Sequence, residues 1–182
     1  MPVNEASHQR RLRAFDTTGD LAARAAALWS TISGHEKDVA RNFWTRYREE
    51  AGGSRVFDDA KLEQLSQRIL PYLRDKFLRT NGLAWVETAK RYVEDAMAAD
   101  VSLTTLLAGL SGEHHALVAA MREEMDDSEE RAAAARTLHE LNMLEIDVFV
   151  AHAIHWQQSN HDREQQGKAE GGQGTHGAVL GK

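Results

Sequence analysis

Apolar residues recur at helical spacing along most of this chain. Leu21, Ala25, Leu28, Trp29 and Ile32 form one stripe, the mark of an amphipathic helix. Thr17 or Thr18 is its expected cap, with Asp20 in the first turn. Gly34 breaks the pattern. A second helix is expected to run to about Glu50, with Val39, Phe43, Trp44 and Tyr47 on one face, and Ala51-Gly52-Gly53-Ser54 reads as a loop. A third helix starts at Asp58 or Asp59 and carries Leu62, Leu65, Ile69, Leu73 and Phe77. Pro71 lies inside it and is expected to kink or divide it. Thr80-Asn81-Gly82 ends it. A fourth helix carries Trp85, Val86, Ala89, Tyr92, Val93 and Met97. Asp100 to Ser102 is a short joint, with Ser102 placed to cap the next helix.

The last two helices are predicted to be the longest. One spans about Leu103 to Met125 with Leu106, Leu107, Leu110, His114, Leu117, Val118 and Met121 on one side. After Asp126-Asp127, Ser128 is the expected cap of a final helix from about Glu129 to Gln158. That helix has two apolar stripes: Leu141, Leu144, Val148 and Ala151, and Met143, Ile146, Val150 and Ile154. Two apolar sides need two covers. The domain's own core is one. A homodimer pairing the last two helices of each subunit into a four-helix bundle would supply the other.

Composition changes at His161. The segment 161–182 holds six of the 13 glycines and almost no large apolar residue, so it reads as a flexible linker or tail. The domain division is therefore 1–160 and 161–182. A linker after a long terminal helix hints at something beyond it. The absence of cysteine excludes disulfides, thiolate metal sites and cysteine nucleophiles. A net charge of −6 argues against nucleic acid as a partner. No apolar run reaches the length of a membrane span. The start, MPVNEASHQRRLR, lacks the apolar centre of a secretory signal, so the expected location is cytoplasmic.

Several segments, taken in order, resemble the bacterial sensor globins, the globin-coupled sensor and protoglobin-like domains. They are Arg11 to Phe15 followed by Leu28-Trp29, the pair Phe43-Trp44, Trp85-Val86-Glu87 with Lys90-Arg91-Tyr92, Leu106 to Gly109, and the final helix broken by Glu145 and Asp147. The resemblance covers about residues 8–158. It implies an all-α, globin-like fold of about six helices with two long C-terminal ones. It also implies a pocket drawing on Phe43, Tyr47, Leu73, Tyr92 and Val93.

At the joint before the two long helices, haem-binding members read His-x-Arg-Ile-Gly, an apolar residue and Pro. This chain reads Ala96-Met97-Ala98-Ala99-Asp100-Val101-Ser102. The proximal-ligand position is Ala96, and the distal position counts to near Asp38. A globin haem needs an axial nitrogen, and alanine has none. The resemblance therefore implies a non-enzymatic sensor and dimerisation domain without haem. Its downstream output module would be of chemotaxis, cyclic-dinucleotide or kinase type. A haem-based oxygen or gas sensor with a non-standard axial ligand and a ligand-free helical adaptor are the alternatives.

Other constellations carry less. His152 and His155 share a face of the final helix and, with His114 and His115, could form a metal or pH-sensing cluster. His114 also lies in an apolar stripe, which favours a packed core histidine. The tryptophans and tyrosines sit at helical spacing, the usual signature of core. Arg10-Arg11-Leu12-Arg13 is too short to mark a nucleic-acid surface. A GxGxxG match at Gly172 to Gly177 has no strand before it and no helix after it, and reads as chance. Glu123-Glu124 and Asp126-Asp127 are expected to cap the following helix.

Overall fold

The computed structural model describes residues 4–172. Those residues form α1 (Glu5–Phe15), α2 (Leu21–Ile32), α3 (Glu36–Ala51), α4 (Asp59–Leu78), α5 (Ala84–Ala98), α6 (Leu103–Glu124) and α7 (Ser128–Gly172), with no strand among them. The all-α class and the two long C-terminal helices match the sequence pattern. Among the described residues no helix is long and apolar enough to cross a membrane.

The helix ends show which side chains set the boundaries. The N-terminal segment is itself a helix: the Asn4 side chain accepts from the Ser7 N–H at 2.8 Å. It docks through buried His8, whose Nε2 donates to the Thr80 carbonyl at 2.9 Å and whose ring meets Trp85 edge-on. Neither Thr17 nor Thr18 caps α2. The Asp16 carboxylate does so, accepting from the N–H groups of Gly19, Asp20 and Leu21. Thr17 instead donates to Glu140 of α7 at 2.5 Å. Asp58 caps α4 and Ser102 caps α6 as expected. At α7 the cap is Asp127 rather than Ser128, with its Oδ1 accepting from both Glu129 and Glu130 N–H at 2.8 Å. An aspartate offers a charged acceptor to the positive end of the helix dipole, which a serine does not.

Pro71 does not divide α4, which runs unbroken from Asp59 to Leu78. Proline removes one N–H from the ladder, and the carbonyl left without its donor is that of Gln67. Both residues are exposed, so water can satisfy that carbonyl. The final helix also exceeds its expected end at Gln158 and continues through Gly172. The first part of the segment expected to be a flexible linker, 161–172, is therefore helical. The remainder, and with it most of the GxGxxG match, lies outside the described residues.

The core gathers the inward faces of all seven helices, with Trp29 of α2 stacked on Phe77 of α4 at 4.9 Å. The closest crossing is α3 on α6, and it depends on glycine. A Cβ on Gly112 would lie 2.5 Å from the Asn42 carbonyl oxygen, and one on Gly109 would lie 2.9 Å from the Phe43 ring. Without side chains at these two points the backbones approach, and Phe43 is held over the centre of α6.

The α5–α6 joint is the fold's one left-handed non-glycine residue among those described, Asp100 at φ 56. The Val101 N–H donates to the Ala96 carbonyl at 2.9 Å and the Asp100 N–H to the Met97 carbonyl at 3.2 Å. This pair of bonds is a Schellman closure, which usually places glycine where Asp100 stands. Aspartate tolerates that conformation better than most residues.

Candidate functional site

A cleft opens between α3, α4 and α5, beside the Asp100 joint. Its volume is about 240 Å³. α3 contributes Phe43, Trp44 and Tyr47; α4 contributes Leu65 and Arg68. Tyr92, Asp95, Ala96 and Ala99 line it from α5, and Val101 and Leu106 close it. The aromatic wall is mutually braced, with Trp44 edge-on to both Phe43 and Tyr47 at ring separations of 5.0 and 5.2 Å. Helical spacing puts three of these rings on one face of α3.

Two polar features stand out on this apolar surface. The Trp44 indole Nε1 is buried and has no hydrogen-bond partner, a costly state for a donor. The Arg68 guanidinium makes no hydrogen bond or ion pair with a described residue. Burial pushes the Tyr47 hydroxyl above its usual range. Burial also raises Tyr92, while the positive charges of Arg68 and Arg91 pull the other way. A second, more polar chamber of about 320 Å³ shares Arg68, Tyr92 and Asp95 with the first and adds Arg91, Thr88 and Asp75.

Of the residues expected to form a pocket, Phe43, Tyr47, Tyr92 and Ala96 meet here. Leu73 and Val93 do not line the cleft: both are fully buried in the core. Asp38 is exposed on the outer face of α3, because Val39, Ala40 and Phe43 occupy the inward positions of that turn. It therefore cannot act as a distal residue. A histidine-ligated haem does not fit these residues. No imidazole, thiolate or thioether lines the cleft. Its 240 Å³ also falls short of the roughly 300–1,000 Å³ usual for ligand pockets.

A second constellation is not among the residues expected from the sequence. Lys76 of α4, Glu113 of α6 and Glu145 of α7 meet in the core, each about 1% exposed. The Lys76 ammonium donates to Glu113 and, at 2.8 Å, to Glu145 Oε2. The Tyr72 hydroxyl donates to the other Glu145 oxygen. Glu113 Oε2 has no partner. Burial, then the charge of Glu145, drives the Glu113 carboxyl up to about 7, with Lys76 opposing. Burial pushes the Lys76 ammonium down, but the two carboxyls more than offset this and it ends raised. One cation faces two carboxyls, so the cluster is neutral when one carboxyl keeps its proton.

The histidines do not assemble. His114 is lowered by burial and feels His139 and Lys76. His152 is driven down to about 4 by burial, with Arg11 and Lys90 adding to it. His139 and His152 lie 13 positions apart on α7, a rise of about 20 Å, so the two pairs are far from each other. Among the described residues no group of three or more metal-ligating side chains occurs.

The second stripe of α7 faces partly outward, and its Ile146 packs against the core. Met143 is 38% and Ile154 47% exposed, with Ile146 and Val150 half-buried between them. Nearer the start of α7, a groove is lined by Val118, Met121 and Arg122 of α6 and Ser128, Arg131, Ala132 and Ala135 of α7. The first stripe, by contrast, turns to the core, with Leu141, Leu144 and Val148 fully buried and Ala151 half-buried at its end.

Comparison with family models, curated proteins and solved structures returned no match.

Proposed function

We propose that this chain is a haem-free, globin-type sensor and dimerisation domain of the cytoplasm, acting on an output module downstream rather than as an enzyme. The observation that carries the reading is the outward stripe Met143, Ile146, Val150 and Ile154 on a helix already fully packed on its other side. A second copy offers the same stripe, and a two-fold axis makes such a surface self-complementary. α7 also outruns its neighbour. It is 45 residues long against 22 for α6, and its end, exposed at residues 161–163, projects past the buried His152 and Ala153. A shift in packing at the α6–α7 seam would travel along that projecting helix.

The test is sedimentation of the double variant Val150→Glu and Ile154→Glu. A wild-type dimer that becomes a folded monomer supports the interface. A variant as dimeric as the parent overturns it. Absorption after haem reconstitution addresses the gas-sensing alternative: a stoichiometric Soret band would remove the haem-free part of the reading.

A further inference from the structure

We infer that α1 is an arm latched by the neutral His8 ring, and that protonation of this ring releases the arm from α7 and from the corner between α4 and α5. The inference goes beyond the dimerisation reading and stands whether or not the chain pairs. His8 and Leu12 are the buried residues of α1. A helix held by so little buried surface opens at low cost. Its polar ties are few as well. Arg11 pairs with Asp147 of α7 at 2.5 Å, and Gln9 donates to the Asn81 carbonyl at 3.5 Å. His8 is therefore the centre of the docking. It is 1% exposed, its Nε2 donates to the Thr80 carbonyl, and its ring rests against Trp85.

The surroundings of the ring suit its neutral form. Trp85 Nε1 donates to the same Thr80 carbonyl at 3.0 Å, so both lone pairs of that oxygen are taken. His8 Nδ1 is buried and has no partner. In the neutral ring this leaves one acceptor unfilled. The imidazolium would put a second N–H and a charge there with no acceptor, which costs far more. The charges acting on the ring are Glu5 and Arg11 of its own helix, of opposite sign. The corner offers the uncharged Thr80 and Trp85. α7 brings Asp147, already paired with Arg11, and the buried His152, which feels Arg11 and Lys90 of α5. Burial, the largest cause, holds His8 below its ordinary 6.5, with the Thr80 bond opposing. In the released arm the ring returns to that ordinary value. Each pH unit below 6.5 therefore weakens docking by up to about tenfold, until the docked ring itself titrates. Release also parts Arg11 from Asp147 and so frees one hold on α7.

The test is amide hydrogen exchange of the full chain from about pH 7 to about pH 4, with each rate corrected for the intrinsic pH dependence of exchange. α1 should be less protected than α6 at every pH, because it opens alone. Its protection should fall as pH drops below 6.5, by up to about tenfold for each unit. His8→Gln keeps a donor for Thr80 and cannot titrate, so its α1 protection should lose this pH dependence. His152→Gln leaves the latch intact and should show the wild-type fall. The His8 ring, followed by NMR, should titrate below 6.5 in step with the loss of protection, and this holds the test open where His8→Gln fails to dock. Five results would each overturn the inference: an α1 as protected as α6, α1 protection that ignores pH, a His8→Gln variant that follows the wild type, a fall lost in His152→Gln, or a ring that titrates at or above 6.5. Sedimentation at the same pH values keeps the two readings apart. A dimer whose arm ignores pH sinks only the latch, and a monomer whose arm is released sinks only the interface.

Discussion

Glu113 is a carboxylic acid placed where water cannot reach it, and its protonation is tied to folding. Its pKa rises from 4.5 to about 7, chiefly through burial. A raised folded-state value means the folded protein binds the proton more tightly than the unfolded chain. That contribution to stability is complete below 4.5 and is lost as pH rises through about 7. His152 has the opposite sign. Its pKa falls from 6.5 to about 4, so its contribution is complete above 6.5 and is lost as pH falls through about 4. His8 and His114 are lowered too and act in the same direction as His152. Between these limits the two effects offset one another. Glu113→Gln removes one of them, so acidification from about pH 7 to about pH 5 should cost the variant more stability than wild type. Denaturant midpoints at the two pH values measure this, and parallel losses would contradict it. At this scale the nearness of Phe43, Trp44 and Tyr47 was readable from the sequence, because steps of three and four residues put them on one face of a helix. The buried ionic cluster was not. Lys76, Glu113 and Glu145 are single charges on three separate helices, and only folding brings them together. Each does occupy an inward register position, beside Phe77, Leu110 and Leu144 respectively, which was the available signal.

The helices themselves were largely legible, because their stripes follow the 3.6-residue period and their interruptions contain Gly, Asn or Asp. What period alone does not reveal is which of several polar residues near a boundary becomes the cap. Asp16 and Asp127 won over their hydroxyl neighbours, and Asn4 started a helix whose inward face holds only His8 and Leu12. Pro71 left α4 whole since the disrupted carbonyl faces solvent. The role of Gly109 and Gly112 was likewise hidden, as it concerns the distance between two helices. A glycine inside a helix is normally improved by alanine, worth about 1 kcal/mol of propensity. Here the sign should reverse. The new methyl of Gly112→Ala would meet the Asn42 carbonyl oxygen at 2.5 Å, and backbone cannot rotate away as a side chain can. We expect a loss of about 1–3 kcal/mol, the usual cost of overpacking. A thermal melt of this variant beside the wild-type protein gives the sign of the change. A stabilised Gly112→Ala would show that α3 and α6 can part without cost.

At the level of the whole molecule, the ionic cluster joins three helices that belong to different jobs. α4 forms one wall of the cleft, α6 crosses α3 beneath it, and α7 carries the outward stripe. Glu145 and Ile146 are neighbours on α7, one turned to the cluster and the other toward the stripe, while Asp147 is held by Arg11 of α1 at 2.5 Å. Three consecutive residues thus fix the rotation of α7 against the core, against α1 and against whatever covers its outer side. Buried charges of this kind are costly to break but not costly to replace. Lys76→Met leaves two carboxyls in the core with no cation and should cost about 3–5 kcal/mol. The triple variant Lys76→Met, Glu113→Leu and Glu145→Met removes every charge and should recover most of that loss. Denaturant unfolding of the single and triple variants gives both numbers. A triple variant as unstable as the single would show that the cluster supplies attraction that packing cannot replace. A triple variant that regains stability while the proposed dimer weakens would show that the cluster's task is to hold the rotation of α7.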